Sequence, residues 1–591
     1  MVADHLAVMF AEAVERFGGE PAVRIHAGQG WRQLTYAELG ERVRSLAARL
    51  IDRGLDAGDR VAIFASNRPE WTLVDLACAS AGLVSVPLYP TSTADQARYI
   101  LADSGCRLAF VDGARELAIL DEVRAELPAL EAVITLADTS GADTLDAELA
   151  ASPSDTSAVE ARIASASADG LATLVYTSGT TGEPKGVMLS HRGFTHQVNA
   201  LNRFFTLGPG DVSLCFLPLS HALERAWTYM VLANGCLNTY VPDPRTVAEQ
   251  LVLAQPSLLV SVPRLYEKVF NTAKEKVADS PVKQRIMRWA LGVGSTYHRA
   301  LVAGRTPSRL LTVRLKLADS LVLKAVRNAI GGPKNVLACG GAPLRQEIEE
   351  FFFGCGLLVL QGYGLTEASP LVTFPPPRDY RFGTVGKVMP GGELAIGDDD
   401  EVLYRGPNLM LGYWNRPDET ATTIVDGWLH TGDVGQLDGG YLQITDRIKD
   451  LIVTSNGKNV APAPIEGLLA SDPLFEYSLL LGDNRPYLTL LVAPSLPHLD
   501  EIGTQLQLSW ARREELLSHP EVLAEISRRI AALTAKLPRH EQIREIRLLP
   551  DGFTLENGLL TPTLKVKRKE VEARFAQLVD EMYAKVGKSR D

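Results

Sequence analysis

Residues 176–191 read YTSGTTGEPKGVMLSH. An apolar, strand-like run from Leu171 to Val175 leads in and stops at Thr177, Ser178, Gly179, Thr180, Thr181 and Gly182, with Lys185 and Gly186 shortly after. Hydroxyls and glycines at this density let backbone N–H groups and side-chain donors approach a phosphate chain, and Lys185 supplies a counter-charge. The loop departs from the Walker A pattern. That pattern needs glycine immediately before its lysine and a hydroxyl after it, where Pro184 and Gly186 stand. A plain surface turn is the competing reading, because Gly/Ser/Thr clusters are usually loops. It leaves three threonines and a lysine–glycine pair unexplained.

Further blocks follow in order. LPLSHALER begins at Leu217, GGAPL at Gly340 and QGYGLTE at Gln361. EVLYRGPNLMLGYW begins at Glu401, HTGD at His430, DRIKDLIVTSNGKNVAP at Asp446 and LTPTLKVKRK at Leu560. Together with the first loop, this series resembles the adenylate-forming acyl-activating enzymes, which include acyl-CoA synthetases, luciferases and the adenylation domains of peptide synthetases. The resemblance covers essentially the whole chain, and within the family it is most similar to long-chain fatty acyl-CoA synthetases.

At 591 residues the chain exceeds what one core usually organises, so two or more domains are expected. Its 46% hydrophobic and 22% charged residues are those of an ordinary globular protein. The net charge of −11 argues against a general nucleic-acid binder, which needs a basic face. From Leu451 onward there are 18 Lys/Arg and 19 Asp/Glu, so nearly all the excess negative charge precedes that point. The six cysteines are far apart, with no C-x-x-C, and read as reduced core residues of a cytoplasmic protein. The first residues, MVADHLAVMFAEAVERF, carry acids and no basic leader and read as a helix, not a signal peptide. No uncharged apolar run reaches about 18 residues, so no membrane span is expected.

The first half alternates short apolar strands (DRVAIFAS, VSVPLYP, RLAFVDG) with amphipathic helices, which predicts helix-covered parallel sheets. Residues 138–170 are rich in Ala, Ser, Asp and Thr and read as a surface excursion. Residues 264–330 form a run of helical patterns with arginines on one face and leucines on another. A helical insertion packed on the body is the favoured reading; it leaves peripheral membrane contact open. By resemblance, an insertion here is characteristic of long-chain fatty acyl-CoA synthetases. After Gly383, short strands and Gly-rich turns suggest a small β subdomain. The expected plan is therefore α/β and multidomain: residues 1–446 as the adenylate-forming domain, 447–450 as a hinge, and 451–591 as a smaller mobile α+β lid.

The resemblance implies a two-step reaction, in which a carboxylate attacks the α-phosphorus of ATP and coenzyme A then takes the acyl group from acyl-AMP. It implies that residues 177–185 hold the β- and γ-phosphates and that Thr177 and Glu367 place Mg²⁺, a role suited to oxygen donors. Gly340, Gly341 and Ala342 give adenine access to the backbone, Tyr363 offers an aromatic face, and Gln361, Gly362, Gly364 and Thr366 complete that block. Asp433 and Arg447 match the ribose-binding positions. His430 tempts a general-base reading but is taken as structural. Lys565 aligns with the adenylation lysine and Arg568 with the motif's arginine, although Thr563 and Leu564 replace Ser-Gly and a solvated basic run is the plain alternative. Lys449 matches the hinge, and Gly457 and Lys458 the thiol channel. His221 is read evenly as a carboxylate-site residue or a buried core histidine. No aspartate occurs between Phe216 and Ala222, which argues against an amino-acid substrate. The expected partners are a medium-to-long-chain fatty acid and CoA; a homodimer stays open. A carrier-protein acceptor, a luciferase-like oxygenase and a nucleotide sensor remain as alternatives.

Overall fold

The computed structural model describes residues 2–584 other than 29, 138, 140, 154, 178–182, 456–457, 555–556 and 562–565. The chain divides into two compact units. The first takes in Met1–Ala395, Leu403–Thr431 and Leu437–Leu442; the second takes in Ile396–Val402, Gly432–Gln436 and Gln443–Asp591.

Two large sheets dominate the first unit. One has the strand order Gly412–Tyr413, Lys185–Ser190, Leu171–Thr177, Val84–Leu88, Arg60–Phe64, Leu108–Val111, Ala132–Thr135, Asp143–Thr144. The other runs Val359–Gln361, Val336–Cys339, Leu258–Ser261, Val212–Cys215, Leu237–Tyr240, Pro21–Ala27, Gly30–Thr35. Val84–Leu88 and Leu108–Val111 are buried along their whole length, as parallel strands covered on both faces must be. The helices between them carry their own start and stop signals. Ala94–Ser104 opens on a Thr93–Gln96 capping box and closes on left-handed Gly105.

The sheets are mixed rather than purely parallel. Leu171–Thr177 pairs antiparallel with Lys185–Ser190, and Pro21–Ala27 with Gly30–Thr35. A parallel crossover needs a dozen or more residues, and the connections here are too short for one. The Ala/Ser-rich stretch before the phosphate loop is also more ordered than its composition suggests. It holds the helices Leu145–Ala150 and Ser157–Ala164, anchored by buried Leu145 and Val159. Glu148 there is held by Arg49 and Arg53, and Arg162 donates to the carbonyls of Leu55 and Ala81. Two or three apolar anchors suffice for a short helix laid on an existing surface, and they are easily lost among alanines and serines.

At the centre of the first unit lies a buried ionic network. Arg225, on the helix Ala222–Ala233, binds Asp75 on the helix Pro69–Ser80, Thr173 Oγ1 at 2.7 Å and Ser85 Oγ at 2.6 Å. Tyr229 shares Asp75, and the guanidinium lies 5.5 Å from the Trp71 ring and 5.7 Å from Phe194. Burial this complete is tolerated because the charges are paired and the donors are satisfied.

The helical region comprises Pro263–Ala278, Pro281–Val302 and Arg309–Ala318, then a π-turn over Asp319–Leu323 and Lys324–Ala329. Its inner face packs Met287, Ala290, Ala318, Leu323 and Val326 against Tyr266, Phe270 and Phe352. A Cβ on Gly294 would meet the Gly354 carbonyl at 1.9 Å, so glycine sets the close approach to the helix Gln346–Gly354.

In the second unit, Phe475–Leu481 pairs antiparallel with Leu488–Pro494, which pairs parallel with Ile543–Leu548. Strand alternation splits its leucines cleanly. Leu480, Leu488 and Leu490 join the helices Pro462–Leu469 and Pro520–Leu533, whereas Leu479, Leu481 and Leu491 face Phe553, Leu560, Val571 and Met582. All six cysteines are buried and free. Among the described residues no helix is long and apolar enough to cross a membrane.

Candidate active site

The decisive loop closes a hairpin in which Tyr176 faces Gly186 and Thr177 faces Lys185. Ser178, Gly179, Thr180, Thr181 and Gly182 lie outside the described residues. The base of the hairpin is tightly fixed. The Tyr176 hydroxyl donates to Asp103 Oδ2 at 2.6 Å, Trp414 Nε1 donates to the Asp103 carbonyl, and Trp414 N donates to the Gly186 carbonyl at 2.7 Å. A Cβ on Gly186 would lie 3.0 Å from the Tyr176 ring and 3.3 Å from Trp414 Cβ, so packing leaves little room for a side chain after the lysine. Lys185 is half-buried and ion-paired with Glu419, with its ammonium 5.3 Å from the centre of the Tyr413 ring.

Tyr413 connects this corner to Glu367. Its hydroxyl donates to Glu367 Oε1 at 2.9 Å, and the Glu367 carbonyl accepts from Met410 N at 2.8 Å. Burial, reinforced by the Glu367 carboxylate, raises the phenol pKa well above its ordinary value. The 3₁₀ turn Thr366–Ala368 carries Glu367. Gly364 precedes it because a Cβ there would strike the Pro370 carbonyl at 1.9 Å. Lys185 and Glu367 therefore meet at Tyr413, with Thr177 opposite Lys185 in the hairpin. That tyrosine was passed over in the sequence because it lies in a long block whose conspicuous residues are Gly and Pro.

Four parallel strands of the seven-stranded sheet end side by side, at Cys215, Ser261, Cys339 and Gln361. Gly340 N donates to the Ser261 carbonyl and Gly362 N to the Cys339 carbonyl. Gly341 has φ +82° and, like Ala342, is exposed. A crevice at the carboxyl ends of such strands is where α/β sheets bind ligands. The Gln361 side-chain oxygen accepts from Leu344 N, so this residue ties GGAPL down from beneath. Tyr363 is half-buried on the short strand Tyr363–Gly364. Beside Gly340 lies Leu223, 3.5 Å from where its Cβ would be.

Leu223 is in the first turn of the helix that His221 caps, with Nδ1 accepting from Leu223 N at 3.2 Å. His221 is half-buried, and Nδ1 as acceptor leaves the proton of the neutral ring on Nε2. The loop before it is strapped by buried Asn67, which donates to the Leu217 carbonyl at 2.7 Å and accepts from Leu219 N. Next along the helix, Glu224 is fully buried, and burial raises its pKa to about 8. The charged letters of LPLSHALER thus point into the core. Glu224 and Arg225 follow His221 by three and four residues on the same side of the helix, one turn further in, where both are fully buried while His221 is only half-buried, which the motif alone did not reveal.

In the second unit, Arg447 Nε donates to Asp433 Oδ1 at 3.0 Å, with Asp433 buried and Arg447 exposed. Neighbouring Asp446 is buried, and burial raises its pKa. It accepts from Arg447 N at 2.7 Å and from Ala463 N at 3.2 Å, tying the strand Tyr441–Arg447 to the start of the helix Pro462–Leu469. Lys449 is exposed in the 3₁₀ turn Ile448–Asp450. Lys458 is exposed, in a hairpin where Thr454 N donates to its carbonyl; Gly457 lies outside the described residues. Lys565 also lies outside them. After it, Val566 bridges Leu560 and Lys567 N donates to the Leu559 carbonyl. Arg568 is locked by Glu466 and the Leu480 carbonyl, each at 2.7 Å. His430 is half-buried on the strand Trp428–Asp438.

Hydroxyl-rich hairpin, Gly-rich strand ends and a separate α+β unit form the architecture of adenylate-forming enzymes. The chain belongs to the AMP-binding enzyme family: that family's model matches residues 10–414, and the model of the AMP-binding enzyme C-terminal domain matches residues 449–587. It is 36% identical over 568 residues to the long-chain-fatty-acid–CoA ligase FadD15 of Mycobacterium bovis, covering 94% of this chain and 93% of that one. It is 31% identical to the peroxisomal long chain acyl-CoA synthetase 7 of Arabidopsis thaliana, over 94% and 82% of the two chains. The A-PCP didomain of carboxylic acid reductase from Segniliparus rugosus, solved in complex with AMP, has the same fold. Its TM-score is 0.78 at 22% identity, over 99% of this chain and 83% of that one.

Proposed function

We infer that this protein is an ATP-dependent fatty acid–CoA ligase acting on medium-to-long acyl chains. The observation that carries the reading is end-to-end similarity, at 31–36% identity, to proteins named as long-chain fatty acid–CoA ligases. In the first half-reaction the fatty carboxylate oxygen attacks the α-phosphorus, the bond to pyrophosphate breaks, and acyl-AMP remains. In the second, the CoA thiolate attacks the acyl carbon and AMP leaves.

Each residue group has a share in this scheme. The 177–185 hairpin orients the β- and γ-phosphates, with Lys185 exchanging Glu419 for phosphate oxygen. Gly340, Gly341, Ala342 and Tyr363 hold adenine, Asp433 and Arg447 the ribose, and His221 directs Nε2–H at the fatty carboxylate. Lys565 neutralises charge building on the phosphate oxygens, and Lys449 is the pivot between half-reactions. Gly457 and Lys458 flank the path of the thiol. Thr177 and Glu367 suit Mg²⁺. Glu367 has an oxygen beyond the one held by a neutral phenol, and no described cation pairs with it. Two protein oxygens match an ion that keeps its waters and shares phosphate ligands. When bound, such an ion would screen the polyphosphate charge.

Pyrophosphate and AMP release with a panel of fatty acids, with and without CoA, tests the reading. Pyrophosphate should appear with long chains, and AMP turnover should require CoA. Multiple turnover with a carrier protein but not with CoA would replace this reading with that of a carrier-loading ligase.

A further inference from the structure

Between Pro281 and Ala318 the chain carries eight Lys/Arg residues and no Asp or Glu, in a protein of net charge −11. Among the described residues, none of Arg285, Arg288, Arg309, Arg314 and Lys316 forms an ion pair; all five are exposed. The same segment and its continuation hold eight of the sixteen exposed large hydrophobic residues described. Four of these follow helical spacing: Leu310 is 62% exposed, Val313 64%, Leu317 54% and Leu321 55%. At about 100° per residue, and less through the π-turn, they form one outward stripe, with Arg314 along it and Arg309, Lys316 and Lys324 on its flank. The core contacts of these helices are made by other residues, Ala318, Leu323 and Val326. Packing on the body, the favoured reading of the sequence, therefore explains one face and leaves a second apolar face in water.

We propose that this outer face of the helical insertion docks on an anionic lipid bilayer, with the aliphatic stripe entering the acyl boundary and the arginines and lysines meeting headgroup phosphates. Charge complementarity selects the occupant. A second copy of the chain packed face to face would set two strongly basic patches against each other. A phosphodiester polymer would satisfy the arginines but leave four aliphatic side chains unused. A bilayer surface takes both. The proposal is independent of the ligase reading, because it needs no substrate.

The test is co-sedimentation of the full chain with phosphatidylcholine vesicles, with and without phosphatidylglycerol, at low and high salt. Binding is expected with the anionic vesicles and should weaken with salt. Arg309→Gln/Arg314→Gln/Lys316→Gln should bind on the order of 100-fold more weakly, since each basic group near such a surface contributes a factor of about five. Leu310→Ser/Leu317→Ser should lose at least about tenfold, whereas exposed Leu468→Ser in the second unit should bind like the wild type. Thermal melting checks that the variants fold. Wild-type indifference to phosphatidylglycerol, or full binding by the serine pair, overturns the proposal. So does a dimer, seen by sedimentation equilibrium, that the serine pair dissociates while vesicle binding is unchanged.

Discussion

Lys565 and Lys567 differ by two positions in a basic run, and the resemblance to the family's motif favours the first. Lys565→Ala should reduce acyl-AMP formation by about 10²- to 10⁴-fold while sparing thioester formation from supplied acyl-AMP. Pyrophosphate release in single turnovers, compared with Lys567→Ala, separates the two; the reverse pattern would move the catalytic role to Lys567. The Lys185–Glu419 pair gives a second prediction, drawn from geometry. The pair is partly exposed, so it contributes roughly 0.5–1 kcal/mol and competes with phosphate by that amount. Glu419→Gln should lower the Kd for ATP about two- to fivefold, and Lys185→Ala should raise it. If calorimetry finds neither change, Lys185 does not meet the nucleotide.

At the scale of elements, the short turn Ile448–Asp450 is the proposed pivot, and Asp446 fastens the strand before it to the helix Pro462–Leu469. Lys449→Pro fixes φ near −65° or so and opposes rotation there. Adenylation should survive in the folded variant while CoA-dependent release of acyl-CoA collapses; an equal loss in both half-reactions would place the pivot elsewhere. Most elements were legible in the sequence, by a capping box and a closing glycine at Ala94–Ser104, or by an opening proline and a near-continuous apolar run at Pro69–Ser80. The helices at 145–164 were not, because Leu145 and Val159 are isolated anchors in small polar surroundings. Within the site, glycines and hydroxyls announced themselves through composition. Tyr413, Asn67 and Asp446 act through contacts with residues distant in sequence, and nothing local marks them. The continuous pattern at Lys324–Ala329 also hid the π-turn before it, since one extra residue in a turn leaves no trace in composition.

For the molecule as a whole, buried acids set the pH response. Burial raises the pKa of both Glu224 and Glu349 to about 8, against an ordinary value of 4.5. A carboxyl raised in the folded state binds its proton more tightly there than in the unfolded chain. Its contribution to stability is therefore complete below about pH 4.5 and falls as pH rises through about 8. Glu224→Gln and Glu349→Gln should each flatten the decline of Tm between pH 5 and 8, removing a loss on the order of 1–3 kcal/mol. Calorimetric scans of the first unit's transition across that range decide it, and parallel slopes in variant and wild type would show both acids ionised in the native protein.

The Arg225 network carries a further consequence. Thr173 stands four residues before Thr177 on one strand, and His221 four residues before Arg225 at the head of one helix. A single guanidinium thus couples the nucleotide side of the proposed site to the acyl side through two rigid levers. The separation between the two reactants is then decided when the chain folds, and neither substrate's affinity is consumed in adjusting it. On that proposal the acyl pocket can change elsewhere while the reacting atoms stay in register, so chain-length specificity and catalytic rate become separable traits.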